Sequence, residues 1–298
     1  MPAPADPQRS APPPPSVHPS PPGGKPSYVD GRVVREPSPQ FFEVWRDRLL
    51  FMVAQLGAVT RMALGALRAG TKRPFEWKAI VAQIEAVGVA SLGIVFVASV
   101  FIGMVMAVQF AFGLRKFGGM EYTPRVIALS FARELAPTLT AVIVGGRIGA
   151  GMAAEMGSMA VTEQIDAVRA LGADPLKKLV FPRLVASVLV LPLLGGIALV
   201  LGVGGAMLIT DTQFGIPAPF FLRSALQSVT MLDFMSGVIK TPVFGFLIAL
   251  IGCHLGMTTR GGTAGVGAST TRAVVAISIA IFIADFFLTK MVIVLWPE

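Results

Sequence analysis

The stretch that decides the fold is VGVASLGIVFVASVFIGMVMAVQFAF, residues 87–112. It runs for well over 20 residues without a charged side chain. At ~1.5 Å of rise per residue, such a run covers the ~30 Å hydrocarbon core of a bilayer as one α-helix. Closed β-barrels also span membranes, but they show alternating segments of about ten residues. No such alternation is found along this chain.

Four more stretches read the same way: residues 126–152, 184–209, 231–255 and 273–295. The composition agrees, with 54% hydrophobic residues, 14% charged residues and a mean hydropathy of +0.71. The expected fold is an all-α integral membrane protein with about five transmembrane helices. The net charge of +8 fits a bias of Lys and Arg toward cytoplasmic loops and excludes nucleic acid as the favoured partner. The single cysteine, Cys253, lies in an apolar run, and the two histidines are His18 and His254. No disulfide framework and no metal site can be built from these.

Residues 1–40 hold 13 of the 23 prolines, which predicts a disordered or polyproline II cytoplasmic tail. The tail has no apolar h-region, so it does not read as a secretory signal. Residues 41–73 differ. Apolar residues there alternate with Arg46, Arg48, Arg61 and Arg68, behind Phe41 and Trp45. This predicts an amphipathic helix lying in the cytoplasmic interface. Asp47 and Arg61 argue against a true span. The transmembrane domain is expected over 74–298.

With the amino terminus inside, the loops near 153–183 and 256–272 are cytoplasmic. They carry Arg169, Lys177, Lys178, Arg183, Arg260 and Arg272. One outer loop, GLRKFGGMEYTPR, breaks the pattern with Arg115, Lys116 and Arg125, and leaves open whether the first span crosses fully. Small residues four apart, Gly145 and Gly149 or Gly252 and Gly256, predict close helix packing within the bundle in preference to a dimer seam.

An ionisable side chain inside a span is costly and must find a cavity or a partner. Arg133 and Glu134 lie in ARELAP, just before Pro137; Lys240 lies in VIKTPVF, just before Pro242. Asp233, seven residues before Lys240, shares its helix face. Glu134, Lys240 and Arg133 are the candidate substrate-cavity residues. Each proline should disturb its helix and free backbone groups, and a charge beside an apolar surface suits an amphiphile with a polar head. Arg147, Glu155 and Asp285 are expected to be buried structural charges.

The chain has no Walker A pattern, and its glycine clusters, such as GVGGAM, lie inside spans and serve packing. Neither a Ser/His/Asp triad nor a carboxylate pair stands outside the spans. No catalytic residue is expected, and energy must come from a partner or an ion gradient. Residues 163–183, EQIDAVRALGADPLKKLVFPR, form a charged cytoplasmic segment between two spans. Glu163, Asp166 and Arg169 alternate with Ile165, Val168 and Leu171 on a predicted short helix, with Gly172 as cap and Pro175 as stop. ABC permeases engage their ATPases through such a helix.

The stretches FIGMVMAVQ, RELAPTLTAVIVGGRIGAGMAAEMGSMAVTEQIDAVRALGADPLKKLVFPR, IKTPVFG and GVGASTTRAVVAISIAIFIADFFLT carry a resemblance. Over about residues 75–295 the chain resembles the permease subunit of bacterial lipid-asymmetry (Mla) ABC transporters, partners of mammalian-cell-entry-domain proteins. The resemblance implies a homodimer in the bacterial inner membrane, with two cytoplasmic ATPase subunits docked on a coupling helix holding Thr162, Glu163 and Gln164. It implies a periplasmic ring of mammalian-cell-entry-domain proteins, a hexamer, with a small STAS-type cytoplasmic subunit as a further candidate. ATP and magnesium would sit on the ATPase, so no cofactor is expected in this chain. Phospholipid would occupy a cavity between the two copies, with functional sensitivity at Glu134 and Lys240. The uncharged loop expected near 115 is charged here. The rival readings are an ion-coupled carrier using Glu134, Lys240 and Asp285 as proton sites, and a passive scaffold with a recruiting tail.

Overall fold

The computed structural model describes residues 27–29, 32–34, 41–70 and 76–295. The chain divides into two units, Met1–Val53 and Ala54–Glu298. In the first unit, β1 (Ser27–Val29) pairs antiparallel with β2 (Arg32–Val34), with Tyr28 opposite Val33. Tyr and Val favour extended backbone, so a short hairpin interrupts the proline-rich tail. The rest of the expected disordered tail lies outside the described residues, as does the basic stretch 71–75.

Helix α1 (Phe41–Gly70) begins in the first unit and continues into the second. It covers residues 41–70 of the expected 41–73 helix, the last three lying outside the described residues, and is not among the five helices long and apolar enough to cross a membrane. Within the second unit its last turns present Ala63, Ala66 and Ala69 to the interior, while Arg61, Leu64, Leu67 and Arg68 stay exposed. Gly70 sits directly against the Phe181 ring, a contact only a residue without Cβ allows.

The five spanning helices are longer than the sequence reading placed them. The first is α2 (Trp77–Arg115). Its 39 residues at ~1.5 Å each give about 58 Å, ample for full crossing. The basic loop that follows is accommodated locally. Lys116 lies 5.1 Å over the Phe112 ring and Arg125 5.8 Å over the Tyr122 ring, so cation–π contact offsets part of their desolvation. The second span, Met120–Val161, is a composite. It comprises a 3₁₀ turn, α3 (Thr123–Ser130), a π-helical segment (Phe131–Leu139) and α4 (Thr140–Val161). Then come α5 (Gln164–Ala170), a short second π segment (Leu176–Val180) and α6 (Phe181–Phe214). The outer loop after α6 folds into α7 (Ala218–Ser228), and α8 (Met231–Met257) and α9 (Gly262–Leu295) complete the bundle.

Helix α8 lies centrally, against α4, α6, α9 and the first π segment, while α2 runs along α6. The glycines work as expected. Gly252 brings α8 onto the backbone of Gly149, with an added Cβ meeting the Gly149 carbonyl oxygen at 3.1 Å, and Gly256 fits against Ala153 and Met156. In GVGGAM, Gly202 lies under the Phe131 ring and Gly205 against the Val100 carbonyl. Small residues at crossings let backbones approach where lipid supplies no hydrophobic drive.

Candidate functional site

The first π segment positions the site. Pro137 has no N–H, so an α-helix here would leave the Arg133 carbonyl without its i→i+4 partner. The backbone widens into π geometry instead, a distortion common at functional sites. The Arg133 carbonyl accepts a hydrogen bond from Lys240 Nζ at 3.2 Å. Pro242 behaves differently: α8 passes through it unbroken, because the Thr241 hydroxyl donates to the freed Val238 carbonyl at 2.8 Å. The expected local disturbance occurs at Pro137 and not at Pro242.

Two neighbouring residues of the π segment reach two residues of α8 that lie seven apart. Arg133 pairs with Asp233, and Glu134 with Lys240. Gly237 lies between, against the Ala132 carbonyl and the Pro137 ring; any side chain there would hold the two elements apart. Asp233 also closes a capping box with Thr230, its carboxylate accepting from the Thr230 N–H at 2.8 Å. Arg133 is therefore tied to a helix end.

Lys240 is the centre of the network. Its side chain is 2% exposed, yet its ammonium donates to both Glu134 carboxylate oxygens and to Thr289 Oγ1, each at 2.7 Å, and Asp285 Oδ1 lies at 3.2 Å. Thr289 in turn donates to Glu134 Oε1 at 3.1 Å. Asp285 contributes charge without a hydrogen bond at Oδ1. One buried cation thus faces two carboxylates contributed by two elements, the π segment and α9. Glu134, at 39% side-chain exposure, is the member that opens outward.

An apolar groove lined by Ala136, Pro137, Pro192, Leu199, Phe234 and Val238 runs along the π segment and α8; Glu134 and Lys240 do not line it. A second apolar groove, lined among others by Val95, Ile102, Phe131 and Leu135, borders the other side of the π segment.

The other expected residues divide. Asp285 joins the Lys240 network. Arg147 and Glu155, expected to be buried, are exposed in the protomer. Arg147 donates to Ser91 Oγ at 2.9 Å, and Glu155 pairs with Arg183 at 2.5 Å. Arg183, read from the sequence as a membrane-edge charge, is the buried member at 4% exposure. Sequence reasoning also missed Thr289, four residues after Asp285 and so on its face of α9.

At the other end of the bundle, α5 forms the expected short helix. Ile165 is buried and pins it; Thr162, Glu163, Gln164, Asp166 and Arg169 are exposed. Asp166 and Arg169 pair with each other at 2.8 Å. Glu163 takes a left-handed conformation with φ of 59°, costly for any residue with a Cβ. Gly172 caps the turn at φ 75°, as expected. Pro175 does not merely stop α5: it starts the next helical segment, where the Leu176 N–H donates to Asp174 Oδ1 at 2.9 Å. Leu171 stands out at the tip, 86% exposed.

Comparisons with known proteins agree with this architecture. The family model described as "Permease MlaE" matches residues 80–291. A probable ABC transporter permease protein of Synechocystis is 44% identical over 207 residues, covering 70% of this chain and 79% of that protein. One of Rickettsia bellii is 36% identical over 244 residues, covering 82% and 94%. The chloroplastic protein trigalactosyldiacylglycerol 1 of Arabidopsis thaliana is 41% identical over 219 residues, 74% of this chain but 63% of the plant protein's length. Five spanning helices, a charged pair at a proline-widened turn and a short helix between two spans thus occur in a chain that belongs to the MlaE permease family of multi-pass membrane proteins.

Proposed function

We propose that the chain is the membrane-spanning half of an ATP-driven lipid transporter. It would reside in the bacterial inner membrane with its amino terminus in the cytoplasm. Two copies enclose the substrate path. Two cytoplasmic ATPase subunits dock on α5, and a periplasmic mammalian-cell-entry-domain ring, with a STAS-type subunit inside the cell, completes the assembly. The substrate is phospholipid or a related hydrophobic lipid. Its movement between the inner membrane and periplasmic carriers maintains outer-membrane lipid asymmetry.

The observation that carries this reading is the Glu134–Lys240 pair held between two spanning elements whose neighbouring side chains form an apolar groove. Apolar side chains suit acyl chains, and the charged pair a few residues away suits a polar head. Two copies are supported by Arg147: it stays exposed within a span, which calls for cover other than lipid. The printed names of the relatives, ABC transporter permease and trigalactosyldiacylglycerol, support the ATPase partner and the lipid class. ATP hydrolysis belongs to the partner.

The experiment is purification of the tagged chain from its native membrane in mild detergent, with mass spectrometry of co-purifying proteins and lipids. A nucleotide-binding subunit and bound phospholipid support the reading; a chain with neither overturns it. An ion-coupled carrier is the second reading, favoured by the two carboxylates converging on Lys240. It predicts proton-dependent transport by the chain alone.

A further inference from the structure

Helices α4 and α6 are the two supports from which α5 hangs, and one ion pair ties them behind it. Arg183, in the first turn of α6, is 4% exposed. Its Nη2 contacts Glu155 Oε1 of α4 at 2.5 Å, and its Nη1 donates to the Leu179 carbonyl of the second π segment at 2.6 Å. Its Nε is buried with no acceptor. The fully buried Cys253 of α8 lies within the field of both charges. A guanidinium held in this way, with one donor unmet, is a poor device for stability alone, since burying a charge costs about what its pairing returns. What it supplies is a directional link. It joins the end of α4, the start of α6 and the π turn between them, beside the central helix.

We propose that the Arg183–Glu155 pair is the strut that carries load from α5 into the transmembrane helices. Resting on the transporter reading above, it makes Arg183 and Glu155 positioning residues. With the pair intact, displacement of α5 moves α4 and α6 as one body. Without it, the two supports move separately, and the push dissipates in the π turn. Both would act through the helices they join.

The test uses the complex of this chain with its ATPase in phospholipid vesicles. Lipid moved and ATP hydrolysed are measured together. Three forms are compared: the unaltered chain, Glu155→Ala, and the double variant Glu155→Ala/Arg183→Met, which removes the charge left unpaired by the first change. Glu155→Ala should retain the ATPase and its hydrolysis, while lipid moved per ATP falls about tenfold, within the range of coupling between distant sites. The double variant should recover thermal stability in detergent without recovering that ratio. Recovery of both overturns the strut and leaves a packing role. So does an unchanged ratio in Glu155→Ala, or loss of the ATPase from it, which would place the pair in the docking face. An unaltered chain that binds no ATPase removes the transporter reading itself, and the strut with it.

Discussion

At the scale of single residues, the molecule concentrates its electrostatic cost at Lys240. A buried ammonium is tolerable because Glu134, Thr289 and the Arg133 carbonyl all accept from it, with Asp285 adjacent. Replacing it leaves carboxylates without a counter-charge. Lys240→Met should lower stability by about 3–5 kcal/mol, read as a drop in melting temperature in detergent. Adding Glu134→Gln should restore part of that loss but not lipid transfer. Glu163 is a second isolated cost. Its left-handed backbone suits glycine, so Glu163→Gly should relieve about 1 kcal/mol of strain. If the carboxylate meets the ATPase, the same change weakens ATPase retention while raising the melting temperature. A rise in both would show that the side chain is not part of the docking face.

At the scale of elements, the decisive contact is between the first π segment and α8. Pro137 forces the wide turn, the wide turn aims Arg133 and Glu134 together, and Gly237 lets the two backbones close. Gly237→Val should push them apart, costing about 1–3 kcal/mol as an overpacked site and abolishing lipid transfer. Gly93→Ala is the control: nothing lies within 4 Å of the added Cβ, so stability should hold or rise. Circular dichroism melting and the transfer assay read both. A neutral Gly237→Val would mean the π segment floats free of α8.

At the scale of the whole molecule, α8 is the central helix, and its single thiol reports on the bundle. Cys253 of α8 is fully buried in the hydrophobic core. It should resist alkylation by membrane-permeant reagents in the native state and react fully after denaturation, because a buried thiol is inert. Rapid native labelling would show that the packing around this end of α8 opens. The middle stretches of α2 and α9 expose apolar side chains, among them Phe101, Val105, Phe282 and Phe286, as surfaces that meet lipid must; exposed charges such as Lys78, Arg115 and Lys290 lie toward the helix ends.

The sequence by itself determined the number of spans, the helical character of 41–70, the α5 helix and the membrane class. Each is written in local runs of apolar residues, glycine caps and charge placement, and a bilayer leaves a helix no alternative way to satisfy its backbone. It also marked Glu134, Lys240 and Asp285 as costly, because cost depends only on residue type and depth. It did not determine who pairs with whom. Arg183 read as an edge charge and Glu155 as a buried one; the structure reverses them, because burial depends on which helix face finds a neighbour. Arg133 read as a cavity residue and is held by Asp233, because the π widening rotates it toward the start of α8. Partners distant in sequence, such as Lys240 and Thr289, meet only when α8 and α9 pack. Tertiary structure decided these pairings, since they depend on helix rotation and crossing, which no local pattern encodes.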